Sequence, residues 1–259
     1  MSELLDIKVK DGVWRVRLNR PQSRNAFSIE LLRCLTQTAQ QLRDEPGVRA
    51  VIVCAAGPHF SAGMDLAELQ KSDASKLSLS ERRTLAALGE RMCQAWEDVP
   101  AITIGAIEGH CIGGGAALVA ALDWRVIGNS AWFWLPEIAL GIPLGWGALP
   151  RLVSLLGPAK AKRFIILGKR LQGQQAIDFG LAEYLVPDGQ AEAQALKLAQ
   201  RVVELPEVAV TMSKQAVNAS AGALSHLASH MVSDQLALAL ASEEALAARA
   251  SFATNKRGQ

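Results

Sequence analysis

Residues 13–54 read VWRVRLNRPQSRNAFSIELLRCLTQTAQQLRDEPGVRAVIVC, and the hydrophobic period of this stretch changes twice. Val13 to Leu18 alternates apolar and basic side chains, the period-two pattern of a half-buried strand, and Asn19-Arg20-Pro21 ends it. Ser28 is placed to cap a helix running to about Arg43, with Ile29, Leu32, Leu35, Ala39 and Leu42 on one face. Asp44-Glu45-Pro46-Gly47 reads as a turn, and Val48 to Cys54 is a β-branched run typical of a strand buried on both faces. A strand–helix–strand unit follows.

Working outward, Leu69 to Ser80 is polar and rich in Ser, Lys and Asp, which predicts a mobile surface loop, with a helix from Glu81 to about Asp98 behind it. Ala101 to Ile107 is the next buried strand, Gly113-Gly114-Gly115 opens a helix through Leu122, and Trp124 to Ile127 is a further strand. Strand, helix and strand recur with glycine-rich turns between them, which predicts an α/β chain of stacked turns rather than an antiparallel sandwich. After Gly180 the composition becomes that of helices, one starting at Pro187-Asp188 and separated from later ones by Leu205-Pro206. The expected division is a core over residues 1–195 and a helical C-terminal region over 196–259 that caps the core or makes oligomer contacts.

At 259 residues, the chain suffices for one sizeable core and a small appendage. Its 27 basic and 25 acidic side chains leave a net charge of +2 with no block to track a nucleic-acid backbone or an anionic membrane. The longest apolar run, around Cys111 to Leu122, is broken by three glycines and falls short of the ~20 residues that span a bilayer. The start, Met1-Ser2-Glu3-Leu4-Leu5-Asp6, has no signal-peptide pattern, and its acidic residues argue against a mitochondrial presequence. Cys34, Cys54, Cys93 and Cys111 form no C-x-x-C pair, so buried reduced thiols and a cytoplasmic location are expected, with no metal site. A nucleophilic Cys111 would need a base that the nearby sequence does not offer.

Three segments carry candidate chemistry. His59-Phe60-Ser61-Ala62-Gly63-Met64-Asp65-Leu66 follows a strand, and its small residues let the backbone turn tightly and offer N–H groups, although a plain strand-to-loop turn explains it as well. Gly113-Gly114-Gly115 exposes helix N-terminal N–H groups suited to an oxyanion, or else packs closely; it has neither the Lys-Ser/Thr of a P-loop nor dinucleotide spacing. Glu137 lies in an apolar stretch with Trp132, Phe133, Trp134, Leu135 and Ile138, where desolvation raises a carboxyl pKa towards neutrality, unless the residue is an exposed turn glutamate. Two donor turns and one shrouded carboxylate together meet the needs of enolate chemistry on a thioester.

The order L-N-R-P-x-x-x-N-A-F-S (18–28), H-F-S-A-G-M-D-L (59–66), I-G-G-G (112–115), P-E-I-x-L-G-I-P-L-G-W-G (136–147) and G-L-A-E-Y-L-V-P (180–187) resembles the enoyl-CoA hydratase/isomerase (crotonase) superfamily, from about Asp6 to the last helix. The resemblance implies a spiral of stacked β–β–α turns with a helical C-terminal region, and a homotrimer or dimer of trimers. It implies backbone N–H donors to the thioester oxygen at Met64 and Gly114. It also implies a coenzyme A surface from Arg24, Ala26, Ala62, Asp65, Leu66 and Ala67, with Arg24 able to pair with a phosphate. Coenzyme A then arrives as part of the substrate, and no separate cofactor, flavin, nicotinamide or metal is expected.

One departure narrows the reaction. Hydratases of this family usually carry a glutamate four residues after the first of the three glycines, and here that position is Ala117, so that only Glu137 remains. A single carboxylate favours moving one proton between two carbons, hence double-bond isomerisation of an enoyl-CoA. Hydration or retro-aldol cleavage with a different helper is the alternative, and a non-catalytic acyl-CoA-binding protein is another. Glu108, His59 and His110 read as loop or turn residues, and Asp65 as ordering its own turn. Trp134, where the family often has glycine, is expected to shorten the acyl pocket. Val217, Leu224, Leu227, Leu236 and Leu240 are apolar enough to bury against neighbouring subunits, or equally in the core of a single chain, and Lys256-Arg257-Gly258-Gln259 ends earlier than many relatives.

Overall fold

The computed structural model describes residues 3–71, 77–223, 225, 232–240, 242–245, 247–248 and 251. The elements in chain order begin with β1 (Leu5–Lys10), β2 (Val13–Leu18), α1 (Ile29–Asp44), β3 (Ala50–Ala55), α2 (Leu66–Lys71), α3 (Leu79–Ala86) and α4 (Leu88–Glu97). There follow β4 (Ile102–Ile107), β5 (His110–Ile112), α5 (Gly114–Ala120), β6 (Trp124–Gly128) and β7 (Trp132–Trp134). The remainder is α6 (Ala148–Leu156), α7 (Pro158–Leu167), β8 (Leu171–Gln172), α8 (Gln174–Phe179), β9 (Tyr184–Val186), α9 (Ala191–Val203), α10 (Glu207–Ala221) and a further helix, Val232–Leu240.

The strands form two sheets, one in the order β1-β2-β3-β4-β6-β9 and a smaller one in the order β5-β7-β8. In the large sheet only β1 runs antiparallel to its neighbour. Both faces are covered. Val16, Leu18, Val51 and Val53 pack with Leu31, Leu35 and Leu42 of α1 and Trp96 of α4, where each fully buried leucine contributes about 2 kcal/mol on leaving water. Val13, Ala50, Ile52 and Ile104 on the opposite face pack with Ala191, Ala195, Ala199 and Val202 of α9. The basic residues of β2 therefore face a helix: Glu192 of α9 accepts hydrogen bonds from Arg15 at 3.1 Å and Arg17 at 2.7 Å. The expected division at 195 and 196 falls inside α9, with sheet-packing alanines on either side of it.

The strand–helix–strand reading of residues 13–54 holds, and the Ser28 hydroxyl accepts the Leu31 N–H at 3.1 Å as the α1 cap. The loop expected over Leu69 to Ser80 is corrected at both ends. Residues 69–71 close α2, and a capping box begins α3: the Ser78 hydroxyl accepts the Glu81 N–H while the Glu81 carboxylate accepts the Ser78 N–H; residues 72–76 lie outside the described residues. The helix expected from Glu81 to Asp98 is two, parting at Ala87. The helix expected from Pro187 starts at Ala191, after a turn closed by the Gln190 N–H on the Pro187 carbonyl.

In the C-terminal region α10 is pinned to the core by Lys214, whose ammonium donates to the Ala101 carbonyl at 2.9 Å and pairs with Asp123 at 2.6 Å. Val208, Met212 and Val217 of the same helix are more than half exposed. Of the other expected contact residues, Leu236 and Leu240 fall in the helix Val232–Leu240, and Leu224, Leu227 and the tail from Lys256 lie outside the described residues.

Candidate active site

The segments holding Met64 and Gly114 are almost fifty residues apart in sequence, and β-bridges bring them together. Ser61 pairs with Cys111 of β5, with the Ser61 N–H on the His110 carbonyl and the Ile112 N–H on the Ser61 carbonyl. A β-carbon at Gly63 would lie 2.8 Å from the Ile112 carbonyl oxygen and 3.5 Å from the Gly114 nitrogen, so only glycine permits this approach of the two turns. Among the described residues neither the Met64 nor the Gly114 N–H is bonded to an acceptor. They are free to serve a ligand oxygen.

The three glycines at 113–115 each meet a different neighbour. Gly113 has φ +50° and donates its N–H to the Trp134 carbonyl at 2.8 Å, and a β-carbon on it would lie 3.0 Å from the Glu137 carboxylate oxygen Oε1. A β-carbon at Gly114 would run into the Trp146 ring, and one at Gly115 would lie 2.9 Å from Ser61 Cβ. Glu137 is thus held across a glycine from the N–H of Gly114. The residue itself is partly exposed, but its Oε2 is enclosed and has no hydrogen-bond partner among the described residues. Burial pushes its pKa up to about 7, against a smaller opposing effect of a backbone hydrogen bond. Ala117 is buried in the core and supplies no second carboxylate.

The residues expected to hold coenzyme A gather on one side of the Met64 turn. The Ala62 N–H donates to the Arg24 carbonyl at 2.9 Å, the Phe27 N–H to Gly63 at 2.7 Å and the Asp65 N–H to Phe27 at 3.0 Å, so residues 24–27 run alongside 62–65. Arg24 is exposed, Ala26 is buried, Ala62 is half-buried, and Leu66 and Ala67 are exposed at the start of α2. Asp65 pairs with Arg20 at 3.1 Å and accepts the Glu68 N–H at 3.3 Å, which orders the turn. Asn25, to which the sequence assigned no role, joins the two segments: buried, with φ +52°, it donates to the Ala56 and His59 carbonyls, both at 2.8 Å, and accepts the Arg20 N–H.

Other candidates are engaged elsewhere. The His59 and His110 rings stack at 3.7 Å, and burial, His59, Arg24 and Arg170 lower His110 to about 4, so it is neutral at neutral pH. Glu108 accepts the Ala191 N–H at the start of α9. Cys111 is buried and its thiol is pushed well above the usual range. The Trp134 indole donates to the Gly168 carbonyl at 2.9 Å and lies beside Arg170. It is Trp146 that lies against Gly114. The signal was present in the sequence as a tryptophan between Gly145 and Gly147. A cavity of about 370 Å³ bordered by Glu90, Gln94, Glu97, Gly147, Arg151 and Asn218 includes none of Glu137, Met64 and Gly114 in its lining. Among the described residues no group of three or more His, Cys, Asp or Glu is placed to hold a metal ion, and no helix is long and apolar enough to cross a membrane.

Comparison with known proteins adds to this geometry. The profile of the enoyl-CoA hydratase/isomerase family matches residues 8–252. A crotonyl-CoA hydratase of Syntrophomonas wolfei is 31% identical over 202 residues, 78% of this chain and 76% of that protein. An enoyl-CoA isomerase/hydratase of Mycosarcoma maydis is 33% identical over 81% of this chain and 78% of its own length. Among solved structures, an enoyl-CoA hydratase/isomerase from Mycobacterium paratuberculosis superposes with a TM-score of 0.87 at 26% identity, covering 97% of this chain and 99% of that one.

Proposed function

This chain belongs to the enoyl-CoA hydratase/isomerase family, and from that premise we propose that it moves the double bond of an enoyl-CoA thioester, with Glu137 as its one acid/base group. The thioester oxygen accepts the Met64 and Gly114 N–H groups, which stabilise negative charge that develops on it during reaction. The ionised Glu137 removes the proton from the carbon next to the carbonyl of a 3-enoyl thioester. The resulting enolate holds its charge on the oxygen, and the protonated Glu137 returns the same proton two carbons further along. The product is the conjugated 2-enoyl thioester, and no water is consumed.

The observation that carries this reading is the Glu137 carboxyl, pushed by burial to a pKa of about 7 with its Oε2 enclosed and without a hydrogen-bond partner among the described residues, while position 117 is an alanine. A group titrating near neutrality both takes and returns a proton readily. Arg24, Ala62, Leu66 and Ala67 form the surface offered to coenzyme A, with the buried Ala26 behind it, and Asp65 orders it. Assembly as a homotrimer or a dimer of trimers, through the exposed Val208–Val217 face of α10, belongs to the same reading.

Hydration is the second reading, favoured by the name of the Syntrophomonas wolfei relative. Mass spectrometry in deuterated water on a panel of 2-enoyl- and 3-enoyl-CoA thioesters separates the two. Conversion of 3-enoyl to 2-enoyl without mass gain from water, abolished in Glu137→Gln, is expected. Efficient addition of water to crotonyl-CoA would overturn isomerisation, and tight thioester binding without turnover of any member would mark a non-catalytic binder.

A further inference from the structure

We propose that Trp146 determines acyl-chain specificity: its indole is a fixed wall beside the thioester site that restricts the substrate to a short acyl group. The inference rests on the acyl-CoA reading above.

The wall is built on a strained backbone that its packing holds in place. Trp146 has φ +60°, in the left-handed region that disfavours any residue with a side chain by about 1–2 kcal/mol. Two glycines make room for its ring. A β-carbon at Gly89 in α4 would lie 2.1 Å from Cδ2 and Cε2, so the indole face rests on the α4 backbone; a β-carbon at Gly114 would lie 2.3 Å from Cζ3 and 2.5 Å from Cη2. The Phe27 ring lies parallel to it, with centroids 6.0 Å apart and planes 9° from each other. The turn that carries it is clamped as well: Arg151 donates to the Gly147 carbonyl at 2.9 Å while pairing with Glu97 and Gln94 of α4.

Held by α4, Phe27 and Arg151, the ring cannot swing aside without giving up these contacts. Its far edge fills the place that a β-carbon on Gly114 would take, at the residue whose N–H donates to the thioester oxygen in the proposed reaction. The first carbons of any acyl group start within a few ångströms of that atom, so the space on the Gly114 side that a longer chain needs is already filled. Trp134, the residue first expected to limit chain length, is tied by its indole N–H to Gly168.

The test is titration calorimetry of saturated four-, eight- and twelve-carbon acyl-CoA thioesters, and of one phenyl-bearing thioester, against the full chain and its Trp146→Gly variant. Glycine is at ease at φ +60°, so this variant keeps the turn. The natural protein is expected to bind more weakly as the chain lengthens, and Trp146→Gly to bind the twelve-carbon thioester at least about tenfold more tightly than the natural protein does. Gly89→Ala, which pushes the ring off its seat, is expected to alter the same length profile and serves as the second variant. Equal affinity for all lengths in the natural protein, or a profile unchanged in both variants, overturns the proposal. A preference for the phenyl-bearing thioester that Trp146→Gly abolishes overturns it too, because the indole is then a stacking platform. Failure of every thioester to bind either protein removes the acyl-CoA reading itself, an outcome distinct from binding that ignores chain length.

Discussion

Glu137 shows how one side chain's surroundings set its chemistry. Its carboxyl loses water on folding and, among the described residues, receives no hydrogen bond on Oε2, so the charged form is penalised and the pKa rises to about 7. As the base of the proposed reaction it must be ionised in the free protein. The plot of kcat/KM against pH is therefore expected to rise to a plateau through about pH 7, and Glu137→Gln to lose that limb along with nearly all turnover. The same shift has a stability consequence of definite sign. Below the ordinary carboxylate value the group is neutral folded and unfolded and contributes nothing. Between that value and about 7 the folded state keeps its proton more strongly, so stability falls as pH rises and stays lowered above 7. In urea unfolding at pH 8, Glu137→Gln is expected to be more stable than the natural protein by about 1–3 kcal/mol, and at pH 4 the difference should vanish. Glu137 was legible in the sequence because its neighbours in the chain, Trp134, Leu135 and Ile138, already announced an apolar setting. Trp146 was legible only as an oddity among glycines, since the partners that give its ring a purpose, Gly89 and Gly114, come from two other segments.

At the scale of elements, the long periodic segments could be read and the short ones could not. α1 and β2 carry enough repeats of their period to stand out, and Ser28 marks the start of α1. β5, β7 and β8 are two or three residues long, too short for any period, and exist because the turns around them are bridged to other parts of the chain. The capping box Ser78-Leu79-Ser80-Glu81 was a readable signal hidden by the polar composition around it. Ser78→Ala is expected to cost about 1 kcal/mol of local stability, measured as faster amide exchange in α3 with little change elsewhere. Gly63→Ala tests the element on which the site depends. With φ +82° and a β-carbon 2.8 Å from the Ile112 carbonyl, it is expected to part the Met64 and Gly114 turns and lower turnover by at least about a hundredfold, the size of losing one oxyanion donor. Unaltered kcat in this variant would show that the two N–H groups do not act together.

For the whole molecule, the helical C-terminal region is joined to the sheet through a nearly buried ion pair. Lys214 reaches from α10 to Asp123, which also accepts the Thr103 N–H and hydroxyl. Lys214→Met leaves that carboxylate without its cation and is expected to cost on the order of 3 kcal/mol in urea unfolding. Light scattering on the purified chain is expected to give a trimer or hexamer mass, and a monomer would remove the assembly proposed for the exposed face of α10. The amino-acid sequence by itself determined the α/β class, the strand–helix–strand start, the family and the apolar chain setting of Glu137, because period, capping and motif order act between near neighbours in the chain. Only the tertiary structure decided that the Met64 and Gly114 turns lie side by side, that Arg15 and Arg17 meet Glu192 of α9, and that Trp146 rather than Trp134 lies against Gly114. Such contacts depend on the register between distant strands and on which face of each turn is turned inward, and those are set by the packing of the whole chain at once.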